Sequence, residues 1–131
     1  MEQNTQCQIK RENGVLTVKL QGELDHYSVA AIREEIDANL CDCAGKALIL
    51  DLGAVDFMDS SGLGLILGRQ NKLRAIGARL ILQDPTPQIE RILRLAGVDR
   101  TIQMRRTSGN PTTSARMQCG TSVPRKGSTK L

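Results

Sequence analysis

Two short aliphatic runs constrain the fold of this chain more than any other feature of its sequence. They are Ala47-Leu48-Ile49-Leu50 and Leu80-Ile81-Leu82, and neither contains a polar residue. A strand with one face in water alternates apolar and polar residues, whereas an unbroken apolar run is typical of a strand buried on both faces. The two runs therefore predict the central strands of a sheet.

The N-terminal part of the chain predicts a β-hairpin. Residues 7–11 and 15–20 each have the length of a strand, and the second alternates apolar and polar side chains. Asn13-Gly14 lies between them, and both residues tolerate the positive φ angles of a tight hairpin turn. We expect the second strand to end at Gly22.

Two helices are predicted on either side of the first apolar run. The first spans residues 28–40, with Ser28 as its N-cap and apolar residues at spacings of three and four. The second spans residues 60–76 and ends at Gly77.

A third helix and a last strand complete the predicted domain. Pro85 and Pro87 break the chain before the helix, Gly97 ends it, and its apolar face holds Ile89, Ile92, Leu93 and Ala96. A short edge strand is expected over residues 101–104. The resulting order, β-β-α-β-α-β-α-β, predicts an α/β fold with a central mixed sheet of four to five strands.

The length and the charge distribution predict one domain and a tail. A chain of 131 residues suits one compact domain, which we expect over residues 1–106. Residues 1–104 carry 12 basic and 14 acidic side chains, whereas residues 105–131 carry six basic ones and no acid. Residues 107–131 are rich in Ser, Thr, Gly and Pro, which predicts a disordered basic tail.

Composition excludes several classes of function. The chain has one Phe, one Tyr and no Trp, and its predicted domain is slightly acidic, which argues against a nucleic-acid binder. No stretch resembles a signal peptide or a membrane span. We therefore expect a cytoplasmic protein with four free thiols, at Cys7, Cys41, Cys43 and Cys119.

The segment from Val55 to Gly64 is the candidate functional site. It follows a predicted buried strand and opens a helix, which is where sites occur in parallel α/β units. Ser60 and Ser61 would lie at a helix N-terminus, whose partial positive charge favours a phosphate. Two interpretations remain open from the residues alone: a phosphorylation switch at one of these serines, or a serine that simply caps the helix.

The same segment carries a resemblance to a known family. Phe57-Met58-Asp59-Ser60-Ser61-Gly62-Leu63-Gly64, together with Gly22-Glu23-Leu24-Asp25-His26, resembles the anti-sigma-factor antagonists of the STAS-domain family. The likeness is greatest to sporulation members that act on the forespore sigma factor, and it covers residues 7–104. It implies a single STAS-like domain with helices packed mainly on one face of the sheet.

The resemblance also implies a mechanism. The unphosphorylated chain would bind an anti-sigma factor that is also an ATP-dependent serine kinase, and would thereby release a sigma factor. Phosphorylation of Ser60 would end this binding, and a serine phosphatase would reset it. Docking residues would be Asp59, Ser61, Gly62 and Leu63, with Asp25 as a second contact. The protein would need no catalytic residue, cofactor or metal, and would be a monomer or weak dimer without direct nucleic-acid contact.

Other readings of these residues are weaker. His26, Asp59 and Ser60 suggest a hydrolase triad, but the Gly-x-Ser-x-Gly elbow is missing. Cys41-x-Cys43 lacks the further ligands of a structural zinc site. A small nucleotide-binding domain and a stress-signalling scaffold of the same family remain alternatives. The family usually closes with an amphipathic helix, and residues 107–131 have no such pattern.

Overall fold

The computed structural model describes residues 6–107. They form five strands and three α-helices in the predicted order. The elements are β1 (Gln6–Glu12), β2 (Val15–Leu24), α1 (Val29–Asp37), β3 (Ala47–Met58), α2 (Ser60–Ala75), β4 (Arg79–Gln83), α3 (Pro87–Leu95) and β5 (Gln103–Arg105). Two short 3₁₀ turns, Leu40–Cys43 and Val98–Arg100, follow α1 and α3.

The strands form one mixed sheet in the order β1-β2-β3-β4-β5. β1 and β2 are antiparallel, and the other neighbouring pairs are parallel. This confirms the predicted α/β fold. The helices that join parallel strands run back against the strand direction, so α1 and α2 begin at the edge where β2 and β3 end.

The β1–β2 hairpin forms at the predicted turn. Asn13 has φ 54° and Gly14 has φ 79°, so both turn residues are left-handed as a tight hairpin requires. The predicted end of β2 at Gly22 is wrong, because β2 continues to Leu24. Gly22 has φ 95° and lies where the pairing with β3 shifts register, so this glycine allows a bulge instead of ending the strand.

β3 is much longer than its apolar run. It spans Ala47–Met58, and its register against β2 shifts twice, between Lys19 and Gln21 and between Gly22 and Glu23. Each shift places an extra residue on β3. As a result Val55 and Met58, three positions apart, are both buried, and Phe57 between them is exposed.

The core lies on one face of the sheet. A single cluster joins the buried residues of all three helices with alternate residues of the strands, including Leu16, Leu48, Leu50 and Leu82. The opposite face holds only a small buried group, made of Ala47, Ile49 and Ile81 with Val15 packed against it. Both faces of the two apolar runs are therefore buried, as predicted, and the helices pack on one face.

Three predicted helix details need correction. α1 ends at Asp37, and Leu40 belongs to the following 3₁₀ turn, although its side chain is still buried. Pro87 was predicted to break the chain before α3, but it is the first residue of that helix, which begins after Thr86. The hydroxyl of Thr86 accepts a hydrogen bond from the amide of Ile89. Ala96 lies beyond the end of α3 and is exposed, so it does not belong to the buried face.

The described chain ends against Asp84. The carboxylate of Asp84 accepts hydrogen bonds from the amide of Thr107 at 2.8 Å and from its hydroxyl. Residues 108–131, which hold most of the predicted basic tail and the position of the family's closing helix, lie outside the described residues, as does Cys119. No helix within residues 6–107 is long and apolar enough to cross a membrane.

One charged side chain is buried between two helices. Arg69 of α2 is 4% exposed, and its Nε lies 3.3 Å from Oδ1 of Asp37 at the end of α1. Neither that nitrogen nor Nη1 has a hydrogen-bond partner. Burial lowers the pKa of Arg69, and the Asp37 carboxylate opposes this shift. The pair thus joins α1 to α2 without fully compensating the desolvation of its cation.

This imbalance predicts opposite results for the two partners. Arg69→Met replaces the buried cation with a side chain of similar length, so the free energy of unfolding in urea should stay unchanged or rise. Asp37→Asn leaves that cation buried without its counter-charge. Because Asp37 is itself 28% exposed, the free energy should fall by about 1–3 kcal/mol, the cost of an unsatisfied buried polar group. Lys72→Met removes the exposed partner of Asp37 and serves as control, with an effect below about 1 kcal/mol. A larger loss in Arg69→Met than in Asp37→Asn would contradict this account.

Candidate docking and phosphorylation site

The ends of β2 and β3 bring two distant segments together. The two strands pair in parallel up to their last residues, Leu24 and Met58. The amide of Asp59 then donates a hydrogen bond to the carbonyl of Leu24 at 3.3 Å. The turn after β2, which contains Asp25, and the turn before α2, which leads into Ser60, therefore lie side by side at the carboxyl edge of the sheet.

Asp59 caps α2. Its Oδ1 accepts hydrogen bonds from the amides of Ser61 at 2.8 Å and Gly62 at 3.4 Å. Ser60 and Ser61 lie inside the first turn of the helix. The interpretation of either serine as the N-cap is therefore wrong, and the cap residue is the aspartate before them.

Ser60 is the exposed serine of the pair. Its side chain is exposed, whereas Ser61 is partly buried. Within residues 6–107 the Ser60 hydroxyl has no hydrogen-bond partner, because Asp59 already satisfies the amides that a capping serine would bind. A serine without a structural hydrogen bond can accept a covalent group without the loss of a contact that the fold needs.

Asp25 organises the turn next to Ser60. Its Oδ1 accepts hydrogen bonds from the amides of Tyr27 and Ser28, both at 3.0 Å. Hydrogen bonding, first of all from the Ser28 amide, lowers the pKa of Asp25. Ser28 stands at the predicted N-cap position of α1, but its hydroxyl donates to the carbonyl of Glu23 at 2.7 Å and does not cap the helix.

Gly62 has a packing role inside the site. It is buried, and a Cβ at this position would lie 2.6 Å from Cγ of Met58 and 3.0 Å from the carbonyl oxygen of Leu24. Leu63 is partly buried and packs against the core. These two residues hold the start of α2 against the ends of β2 and β3. Their direct contact with a partner stays a prediction.

Alanine substitutions at Gly62 and Gly64 test the packing role of Gly62. We predict that Gly62→Ala lowers the free energy of unfolding by about 1–3 kcal/mol, because its Cβ overlaps backbone as well as a side chain. Gly64→Ala is the matched control: a Cβ there meets nothing within 4 Å, and alanine favours a helix by up to about 1 kcal/mol. Urea unfolding of both variants tests this, and equal shifts of the two midpoints would contradict the packing role.

The structure offers little support for a hydrolase triad or for a metal site. The carboxylate of Asp59 binds backbone amides, and the ring of His26 packs edge-on against Tyr27 with 5.4 Å between ring centroids. Cys41 is exposed, whereas the buried Cys43 thiol donates to the carbonyl of Leu40. Over the described part of the chain, no three potential metal ligands come together.

Sequence reasoning missed three exposed apolar side chains in the segments that form or follow this edge. Tyr27, Phe57 and Leu67 are 88%, 43% and 41% exposed. Tyr27 follows Asp25 by two residues, Phe57 precedes Ser60 by three, and Leu67 lies two helical turns beyond Ser60. The available signal was that the only Tyr of the chain follows Asp25 by two residues and the only Phe precedes Ser60 by three.

Comparison with known proteins identifies the family of this chain. A family model described as the STAS domain matches residues 6–110. An anti-sigma F factor antagonist of Lysinibacillus sphaericus is 39% identical over 83 residues, which cover 63% of this chain and 71% of the relative. Another, from Paenibacillus polymyxa, is 36% identical over 95 residues and covers 72% and 81%.

Solved structures agree in fold. The anti-sigma factor antagonist SpoIIAA in its unphosphorylated form matches with a TM-score of 0.66 at 32% identity, over 76% of this chain and 87% of that one. The Bacillus cell fate determinant SpoIIAA in its phosphorylated form matches with a TM-score of 0.61, also at 32% identity, over 76% and 90%.

Proposed function

Because this chain belongs to the STAS-domain family, we propose that it is an anti-sigma-factor antagonist. In its unphosphorylated form it binds an anti-sigma factor and so releases a sigma factor. The relatives that are anti-sigma F factor antagonists, and the solved phosphorylated and unphosphorylated forms of SpoIIAA, support this function. The role is regulatory and needs no catalytic group on this chain.

The observation that carries the switch is the free hydroxyl of Ser60. It is exposed at the start of α2, and the neighbouring Asp59 takes over the capping that would otherwise occupy a serine. The proposed kinase is the anti-sigma factor itself, which brings ATP to this hydroxyl when it docks. A separate serine phosphatase would restore the unmodified side chain.

Phosphorylation would change the charge of a surface that is already acidic. A phosphoserine adds about −1.5 to −2 charge at neutral pH. Asp56 is exposed and Asp59 partly exposed close to Ser60, and the first turn of α2 contains no basic residue. A partner that holds nucleotide phosphates against Ser60 would meet phosphate repulsion after transfer, so the modified chain would dissociate.

The remaining parts of the proposal concern partners and location. Asp25, Asp59, Ser61, Gly62 and Leu63 are proposed to shape or contact the docking surface, in a domain over residues 1–106. The chain would act in the cytoplasm as a monomer or weak dimer, without direct nucleic-acid binding.

Substitution of Ser60 tests the switch by binding. We expect Ser60→Ala to bind the purified cognate anti-sigma factor with wild-type affinity, since it leaves Asp59 and the helix start intact. Ser60→Asp adds a negative charge at the contact and should raise the Kd at least about tenfold. Isothermal titration calorimetry in the presence of ADP measures both constants.

Thr101→Asp is the matched control for added charge. Thr101 is exposed just before β5, at the edge of the sheet opposite to Ser60, so this variant should bind as wild type does. Equal Kd values for wild type and Ser60→Asp, with both proteins folded, would rule out Ser60 as the switch residue.

A further inference from the structure

We propose that Tyr27, Phe57 and Leu67 are the apolar anchors by which the anti-sigma factor docks on this chain, with Tyr27 contributing most. This inference rests on the proposed function and identifies the residues that hold the partner while Ser60 is unmodified. None of the three belongs to the docking set that the sequence suggested. We call Tyr27, Phe57 and Leu67 the apolar rim of the site.

The exposure of both aromatic side chains supports their role as anchors. Aromatic side chains bury more area than any others and dominate both protein cores and interface hot spots. This chain has one Tyr and one Phe, and neither lies in the core: Tyr27 is 88% exposed and Phe57 is 43% exposed. The core is built from aliphatic residues instead. Both aromatic rings are therefore available to a partner.

The exposure of Phe57 follows from the backbone of β3. The second register shift between β2 and β3 pairs Phe57 with Glu23 and lets both Val55 and Met58 point into the core. Without that shift, strict alternation would place the side chains of residues 55 and 57 on the same face, and Phe57 would be buried. The bulge therefore turns a large apolar side chain out of the core, three residues before Ser60.

The outer face of α2 extends the rim. Ser60, Gly64 and Leu67 lie at positions i, i+4 and i+7 and so share one face of the helix. Leu67 is 41% exposed, and a Cβ at Gly64 or at Gly68 would meet no atom within 4 Å. Glycine inside a helix is destabilising by about 1 kcal/mol relative to alanine. Packing within the chain does not require these glycines, and their smooth surface lets a partner approach Leu67 and Ser60 closely.

The position of the rim distinguishes it from scattered surface apolar residues. Among the described residues, four large apolar side chains are exposed. Tyr27 and Phe57 flank the two turns at the carboxyl edge of the sheet, and Leu67 lies two turns farther along α2, on the helix face that carries Ser60. The fourth, Leu95, is 82% exposed at the end of α3. Because α3 runs from the carboxyl edge towards the opposite edge, Leu95 is remote from Ser60 and provides an internal control.

The charges around the rim specify the chemistry of the partner surface. Residues 21–32 and 52–68 contain Glu23, Asp25, Asp56 and Asp59 and no Lys or Arg. The next basic residues along the chain are Arg33, which is exposed in the middle of α1, and the buried Arg69. The complementary surface of the anti-sigma factor should therefore offer an apolar pocket for Tyr27, bordered by basic side chains. Charge complementarity of this kind mainly speeds association and makes it sensitive to salt.

Alanine substitution tests the anchors. Tyr27→Ala should raise the Kd for the purified anti-sigma factor at least about tenfold, and Phe57→Ala and Leu67→Ala by smaller factors. Since the side chain of Tyr27 is 88% exposed, its urea midpoint should stay at the wild-type value. Leu95→Ala, which removes an equally exposed side chain far from Ser60, should bind as wild type does. The wild-type association rate should fall as salt is raised.

The outcomes separate this inference from the proposed function. Suppose that Ser60→Asp weakens binding while Tyr27→Ala and Phe57→Ala bind as wild type does. The switch would then stand, and the apolar rim would be overturned. An equal loss in Leu95→Ala and Tyr27→Ala would also overturn it. If the wild-type chain does not bind the anti-sigma factor at all, the proposed function itself fails.

Discussion

The capping of α2 by Asp59 is the interaction on which the rest of the site depends. Its carboxylate binds the amides of Ser61 and Gly62, and its own amide binds the carbonyl of Leu24. One residue thus ends β3, starts α2 and ties both to the end of β2. Because Asp59 caps the helix, the hydroxyl of Ser60 makes no hydrogen bond within residues 6–107 and is exposed at the edge of the sheet.

Close packing makes that arrangement rigid. Gly62 allows α2 to approach the backbone of Leu24 and the side chain of Met58 more closely than any residue with a Cβ could. The Asp25 turn is held separately, by amide hydrogen bonds to its carboxylate and by the Ser28 hydroxyl. A surface built from two turns on adjacent strands is therefore formed before a partner arrives, and binding pays little ordering entropy.

Much of the fold could be predicted because its signals are local. The unbroken apolar runs identified the central strands, Asn13-Gly14 identified the hairpin, and Gly77 marked the end of α2. The length of β3 could not be predicted, since its second half is a strand only through pairing with β2, and its bulges depend on that non-local register. The exposure of Phe57 follows from these bulges, so it could not be predicted from the local sequence either.

The sequence predicted where the turn before α2 lies, but not which of its residues caps the helix. Asp59, Ser60 and Ser61 are all good N-cap residues, and propensity alone does not choose among them. Tertiary contacts decide, because only Asp59 is held against Leu24 in the extended conformation that a cap needs. Similarly, Ser28 had the sequence position of a cap, whereas Asp25 organises the turn. The resemblance to anti-sigma-factor antagonists chose Ser60 over Ser61, and the difference in exposure of the two serines supports that choice.

The central claim is tested most directly by locating the residue of this chain that the anti-sigma factor phosphorylates. The purified protein would be incubated with its anti-sigma factor and ATP, and the modified residue located by fragmentation mass spectrometry. The account predicts one phosphate per chain, on Ser60, and loss of binding by the modified form. A phosphate on Ser61 or elsewhere, or a stable complex in which no phosphate is transferred, would contradict it.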